Sequence, residues 1–104
     1  MNQVNKFPLC GEEIDLEGSI IDFLTIQMQN GQPYVWAIVD PDTPVKKFRI
    51  TAICEGWECN LINRSQYIGT IQDGDRAWHY FWEKVPTYRS IKEPELAIFS
   101  RRCR

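Results

Sequence analysis

The chain has 104 residues, the size of one domain, with 43% hydrophobic and 25% charged side chains, an ordinary globular balance that excludes a disordered or fibrous protein. Its length leaves no room for a core plus a separate cofactor domain, which excludes most multi-domain enzymes. The formal net charge of −2 excludes the broad basic footprint of a generic binder of long nucleic acid.

That small net charge conceals a split. Residues 1–83 hold six bases against twelve acids, a net −6, while residues 84–104 hold six bases against two acids, a net +4. The expected organisation is therefore an acidic body, 1–83, and a basic C-terminal extension, 84–104. Residues 1–9 carry one lysine, one proline and no apolar run, so they do not read as a signal peptide. The longest apolar stretch is Tyr34 to Val39, far short of the ~20 residues that span a membrane. A cytoplasmic, reducing setting in the host cell is the expectation, with Cys10, Cys54, Cys59 and Cys103 as thiols.

In chain order, Val4–Leu9 and Glu12–Leu16 read as edge strands, where Pro8 is tolerated because an edge needs no donor there. Leu24, Ile26 and Met28 alternate with Thr25, Gln27 and Gln29, the period-2 mark of a strand. Asn30-Gly31 then signals a hairpin turn, of two residues or, with Pro33 included, of four. Either length sets Leu24, Ile26 and Met28 beside Val35, Ala37 and Val39 on one face, with Tyr34, Trp36 and Ile38 on the other. Asp40 to Pro44 is a loop. Lys46–Cys54 is the cleanest strand, with Phe48, Ile50, Ala52 and Cys54 inward and Lys47, Arg49 and Thr51 in water. Glu55–Arg64 reads as a loop or short helical turn. Tyr67–Gln72 and Asp75–Trp82 form a second hairpin around Asp73-Gly74, a turn that pairs Gly69 with Trp78 and Tyr67 with Tyr80. Pro86 and Pro94 interrupt the C-terminal segment, with Glu95–Ser100 a short helix or last strand. The fold class is all-β: a small antiparallel sandwich or bent barrel of about six to seven strands with a short C-terminal extension.

Chemistry is sparse. His79, the one histidine, sits mid-strand with no nucleophile context beside it. Cys54 and Cys59 lack the second tight pair that a zinc site would show. The acids Glu12, Glu13, Asp15 and Glu17, and the pair Asp40 and Asp42, match no calcium-loop spacing. No catalytic residue, metal or cofactor is expected. The aromatic content stands out: Tyr34, Trp36, Trp57, Trp78, Tyr80 and Trp82 are the candidate binding residues, because Trp and Tyr dominate interface hot spots. Arg101 and Arg102 join them as anion contacts.

Several segments resemble a family of small uncharacterised proteins of tailed phages and prophages. These are Lys6-Phe7-Pro8-Leu9, Gln29-Asn30-Gly31-Gln32-Pro33, Trp36-Ala37, Val39-Asp40-Pro41, Phe48-Arg49-Ile50, Tyr67-Ile68-Gly69-Thr70 and the aromatic strand around His79. The likeness spans roughly residues 4–83 and implies a phage origin and a host-cell setting; that family carries no catalytic residues to transfer. The function expected is a non-enzymatic phage accessory protein that binds and inhibits or modulates a host factor, an antiviral-defence component, either by protein binding or by sequestering a small nucleotide signal. The alternative is a phage structural or assembly protein that forms a homo-oligomer. Neither long nucleic acid nor a membrane is an expected partner.

Overall fold

The computed structural model describes residues 1–59 and 64–86. Within them lie β1 (Gln3–Pro8), β2 (Glu13–Gly18), β3 (Ile20–Gln29), β4 (Gln32–Val39), β5 (Lys46–Cys54), β6 (Tyr67–Asp73) and β7 (Arg76–Val85), with one 3-10 turn, Arg64–Gln66. Every pairing is antiparallel. One sheet runs β1-β4-β3 and the other β2-β5-β7-β6, so the all-β reading holds as two sheets and not as a closed barrel. β5 has the bounds that alternation gave it, and β1 and β2 are edge strands as expected. The Glu95–Ser100 element lies outside the described residues.

The core is built from inward rows. β4 buries Val35, Ala37 and Val39, and β5 buries Phe48, Ile50, Ala52 and Cys54. Ile26, Ile71, Tyr80, Ile14 and Leu9 join Val35, Ile50 and Ala52 in one cluster, while Ile20, Ala37, Val39 and Phe48 form a second. Phe7, Phe23 and Trp82 pack against both. Full burial of a side chain such as Ile50 or Val35 is worth about 1.5–3 kcal/mol, so these rows supply most of the drive that aligns the sheets.

The β3–β4 turn has two residues. Gln29 pairs with Gln32, and Asn30 (φ 55°) and Gly31 (φ 78°) both take positive φ, the signature of a type I′ turn. Pro33 therefore sits in β4 opposite Met28, and the four-residue alternative is set aside.

Simple alternation fails further along β3. The register slips between Phe23 and Thr25 and again between Ile20 and Asp22, one extra residue each time. The inward set becomes Ile20, Phe23 and Ile26, and Leu24 is 45% exposed. The cause is aromatic packing: Phe23 lies edge-on to Phe48 at 5.4 Å and 5.6 Å from Trp82, contacts that Leu24 at that position would forfeit. Met28 stays opposite Pro33 but is 42% exposed, because the sandwich opens at this end. Leu24→Ala should change the unfolding free energy by no more than about 0.5 kcal/mol. A loss of about 2–5 kcal/mol in urea melts, the cost of truncating a core leucine, would contradict the bulge.

The second hairpin also departs from expectation. Asp73 pairs with Arg76, so the turn is Gly74-Asp75 and not Asp73-Gly74. Gly74 has φ 65° and Asp75 is not among the residues with positive φ, which fits a type II′ turn with glycine first. Gly69 consequently faces Tyr80, and Ile71 faces Trp78. A slip at Ile68 puts Tyr67 opposite Phe81, with ring centroids 5.6 Å apart, rather than opposite Tyr80.

Two loops complete the frame. Thr43 N–H donates to the Asp40 carbonyl at 2.8 Å, and Asp42 N–H donates to Asp40 Oδ1 at 3.0 Å. That Asp42 N–H is the main reason the Asp40 carboxyl lies below its ordinary range; partial desolvation opposes it and the Met1 ammonium, at 3.3 Å, adds to it. A carboxyl whose folded pKa is depressed adds stability above its unfolded pKa, and that contribution fades as pH falls through the folded value. A carbon-detected NMR titration should place the Asp40 midpoint below that of the urea-unfolded chain; equal midpoints would contradict the turn. Among the cysteines, Cys54 is a buried free thiol and Cys59 an exposed one. Cys10 is disulfide-bonded, which corrects the expectation of a thiol there, and Cys103 lies outside the described residues.

Candidate functional site

Burying Val35, Ala37 and Val39 forces Tyr34, Trp36 and Ile38 to the outer face of the three-stranded sheet. Pairing brings Pro8, Lys6 and Val4 of β1 beside them, in that order, and Gln27, Thr25 and Asp22 of β3 on the other flank. The Tyr34 and Trp36 rings are 6.0 Å apart, and Lys6 Nζ lies 4.8 Å from the Tyr34 centroid while bonding to Gln29 Oε1. Val4 is 60% exposed, and the two bulge residues, Ile21 and Leu24, are 50% and 45% exposed. A Val4–Ile38–Trp36–Tyr34 row with exposed aliphatics at its edges is the kind of face that marks an interaction surface.

A second feature lies at the open end of the sandwich. The Gly11–Glu12 segment, the β3–β4 turn and the turn-proximal part of the β6–β7 hairpin converge there on a pocket of about 300 Å³. Trp78 and Tyr80 form its aromatic wall, with Ala52, Ile71, Met28 and Pro33 beside them, and Glu12 and Asp73 supply carboxylates. Trp78 is held edge-on by Trp57 at 5.3 Å. Burial, and then the charge of Asp73, pushes the Tyr80 phenol above its ordinary pKa.

The expected binding residues are thus divided. Tyr34 and Trp36 share the outer face; Trp78 and Tyr80 share the pocket, with Trp57, 45% exposed, against its wall. Trp82 is placed in the core, 5.6 Å from Phe23 and 6.0 Å from Phe48. Arg101 and Arg102 lie outside the described residues. Leu24 and Ile21 escape alternation-based reading because bulges expose them; the available signal was the three-residue spacing of Ile20, Phe23 and Ile26. Asp73 escapes it because the turn is displaced by one residue.

The outer face of the four-stranded sheet mixes polar side chains with Ile53 and the Tyr67–Phe81 ring pair. Arg49 Nε donates to Asp15 Oδ1 at 3.0 Å across β2 and β5, with Glu83 on the other side of Arg49 in register. Tyr67 hydroxyl bonds to Thr70 Oγ1, which lies 3.0 Å from His79 Nδ1. These three sit on an open ladder and do not line that pocket. No group of three or more metal-ligating side chains occurs among the described residues, and no helix there is long and apolar enough to cross a membrane.

Among curated proteins and among solved structures, nothing matches the chain. A family model described as Domain of unknown function (DUF7352) matches residues 1–90, and the chain therefore belongs to that family.

Proposed function

We propose that this chain is a non-enzymatic accessory module of phage origin that binds a host protein, a component of antiviral defence, and inhibits or modulates it. The observation that carries the binding reading is the outer face of the three-stranded sheet, where Tyr34, Trp36, Ile38 and Val4 line up with Leu24 exposed nearby. Trp and Tyr supply large contact area at a cost of two torsions each, which is why they anchor interfaces. The acidic balance of residues 1–83 steers encounter with a basic partner. The phage origin and the host setting rest on the resemblance carried by Lys6-Phe7-Pro8-Leu9 and its companion segments. A protein is favoured over a small nucleotide as the ligand, because the pocket with aromatic walls presents the Asp73 carboxylate, which opposes phosphate.

The test is quantitative capture from host lysate with the tagged full chain and with Trp36→Ala, whose circular dichroism and melting temperature are matched first. The expected result is a discrete partner retained by the parent chain and lost by Trp36→Ala. Identical capture by both, or none by either at micromolar protein, would overturn the reading. The homo-oligomer alternative draws on the opposite charges of residues 1–83 and 84–104. It requires concentration-dependent sedimentation of the full chain that high salt abolishes.

A further inference from the structure

The pocket at the open end of the sandwich has a chemistry that the outer face lacks. Its volume of about 300 Å³ sits at the bottom of the ~300–1,000 Å³ range of small-ligand sites, so it suits one side chain better than a cofactor. Among the described residues its lining holds two aromatic rings and two carboxylates and no basic side chain. Asp73 makes no ion pair among the described residues: Arg76, its partner across the hairpin, does not reach it and is not in the lining. The Trp78 ring is already oriented by Trp57, so little freedom is lost when a ligand stacks on it.

We propose that this pocket is a receptor for a guanidinium group, the side chain of an arginine. A planar cation can stack on the Trp78 or Tyr80 ring while its N–H fork bonds the Asp73 carboxylate; a compact ammonium satisfies the second demand and meets the first less well. An anion is repelled by the Asp73 carboxylate, and a neutral amide leaves it unused. The direction in which Asp73 pushes the Tyr80 phenol supports a negative potential at the pocket floor. The inference deepens the protein-binding reading by naming what the partner presents. Two sources carry the same chemistry: an arginine of the partner protein, or the chain's own Arg101 and Arg102.

The test uses the full chain, isotope-labelled, titrated with acetyl-Gly-Arg-Gly-amide and with its lysine and citrulline counterparts, read at the Trp78 indole N–H. The arginine peptide should give a saturable shift, the lysine peptide should bind at least about fivefold more weakly, and citrulline should give none. Asp73→Asn, on an exposed turn-flanking residue, should keep the fold and weaken arginine binding at least about fivefold, and added salt should weaken it in the parent chain. A paired Arg101→Gln and Arg102→Gln variant separates the sources. Tighter peptide binding than the parent places the guanidinium in the chain's own terminus, and equal binding places it in a partner. Citrulline equal to arginine, or binding indifferent to Asp73→Asn, would overturn the proposal. Partner capture that survives such a failure would leave the outer-face reading standing, and loss of capture in Trp36→Ala with peptide binding intact would leave the pocket standing.

Discussion

Ile50→Ala should lower the unfolding free energy by about 2–5 kcal/mol, the cost of emptying a fully packed site. Ile50 is 0% exposed in the middle of β5, and that strand is paired on both sides, with Ile14 opposite it in β2 and Trp82 opposite it in β7. Nothing next to it can move in without breaking a ladder, so the cavity stays. For a domain of this size each kcal/mol shifts the melting midpoint by about 4–8 °C, and total stability is of the order of 5–15 kcal/mol. The variant should therefore melt many degrees lower, or be unfolded at mesophilic growth temperatures. A loss below about 1 kcal/mol in urea melts would mean that β5 is not the central inward-facing strand.

Gly69→Val should cost about 1–3 kcal/mol or more, the range for forcing volume into a packed site. The reason is the approach of the two sheets at β3 and β6, edge strands that pack against each other. A Cβ added at Gly69 would lie 3.3 Å from the Ile26 backbone nitrogen and 3.5 Å from its Cβ. Backbone cannot swing aside as a side-chain tip can, so the branched valine would prise β6 from β3. Valine is otherwise a better strand residue than glycine, and a rise in melting temperature would contradict the close approach.

These two sites also show where alternation informs and where it fails. β5 is legible because each of its inward residues is apolar and most outward ones polar; no neighbour has to be known. β4 is legible in which residues face in, and the Asn30-Gly31 turn follows from two residues that tolerate positive φ. β3 is not legible beyond Ile26, because the bulges at Leu24 and Ile21 are decided by what Phe23 meets in the other sheet, Phe48 and Trp82. Asp73-Gly74 and Gly74-Asp75 are both acceptable turn pairs locally, and the cross-strand packing of Ile71 on Trp78 and Gly69 on Tyr80 selects between them. The need for glycine at position 69 comes from a strand more than forty residues away in the chain.

The candidate site was legible as residue types and illegible as places. Six aromatic residues proposed together separate into an outer row, a pocket wall and a core, because one inward-facing row decides the face of each strand. Tyr34 and Trp36 fall outward since Val35 and Ala37 fall inward; Trp82 falls inward beside Phe48. Exposed Leu24 adds to the apolar surface of β3 only because the bulge turns it out.

Backbone hydrogen exchange, measured on the full chain alone and with its captured partner, tests the contact-based account most directly. The account predicts added protection on β1, β3 and β4, centred on Lys6, Thr25 and Trp36, with the outer ladder of Thr51 and Phe81 unchanged. Protection confined to that ladder around Thr70 and His79, with the aromatic row of β4 exchanging as in the free chain, would contradict it.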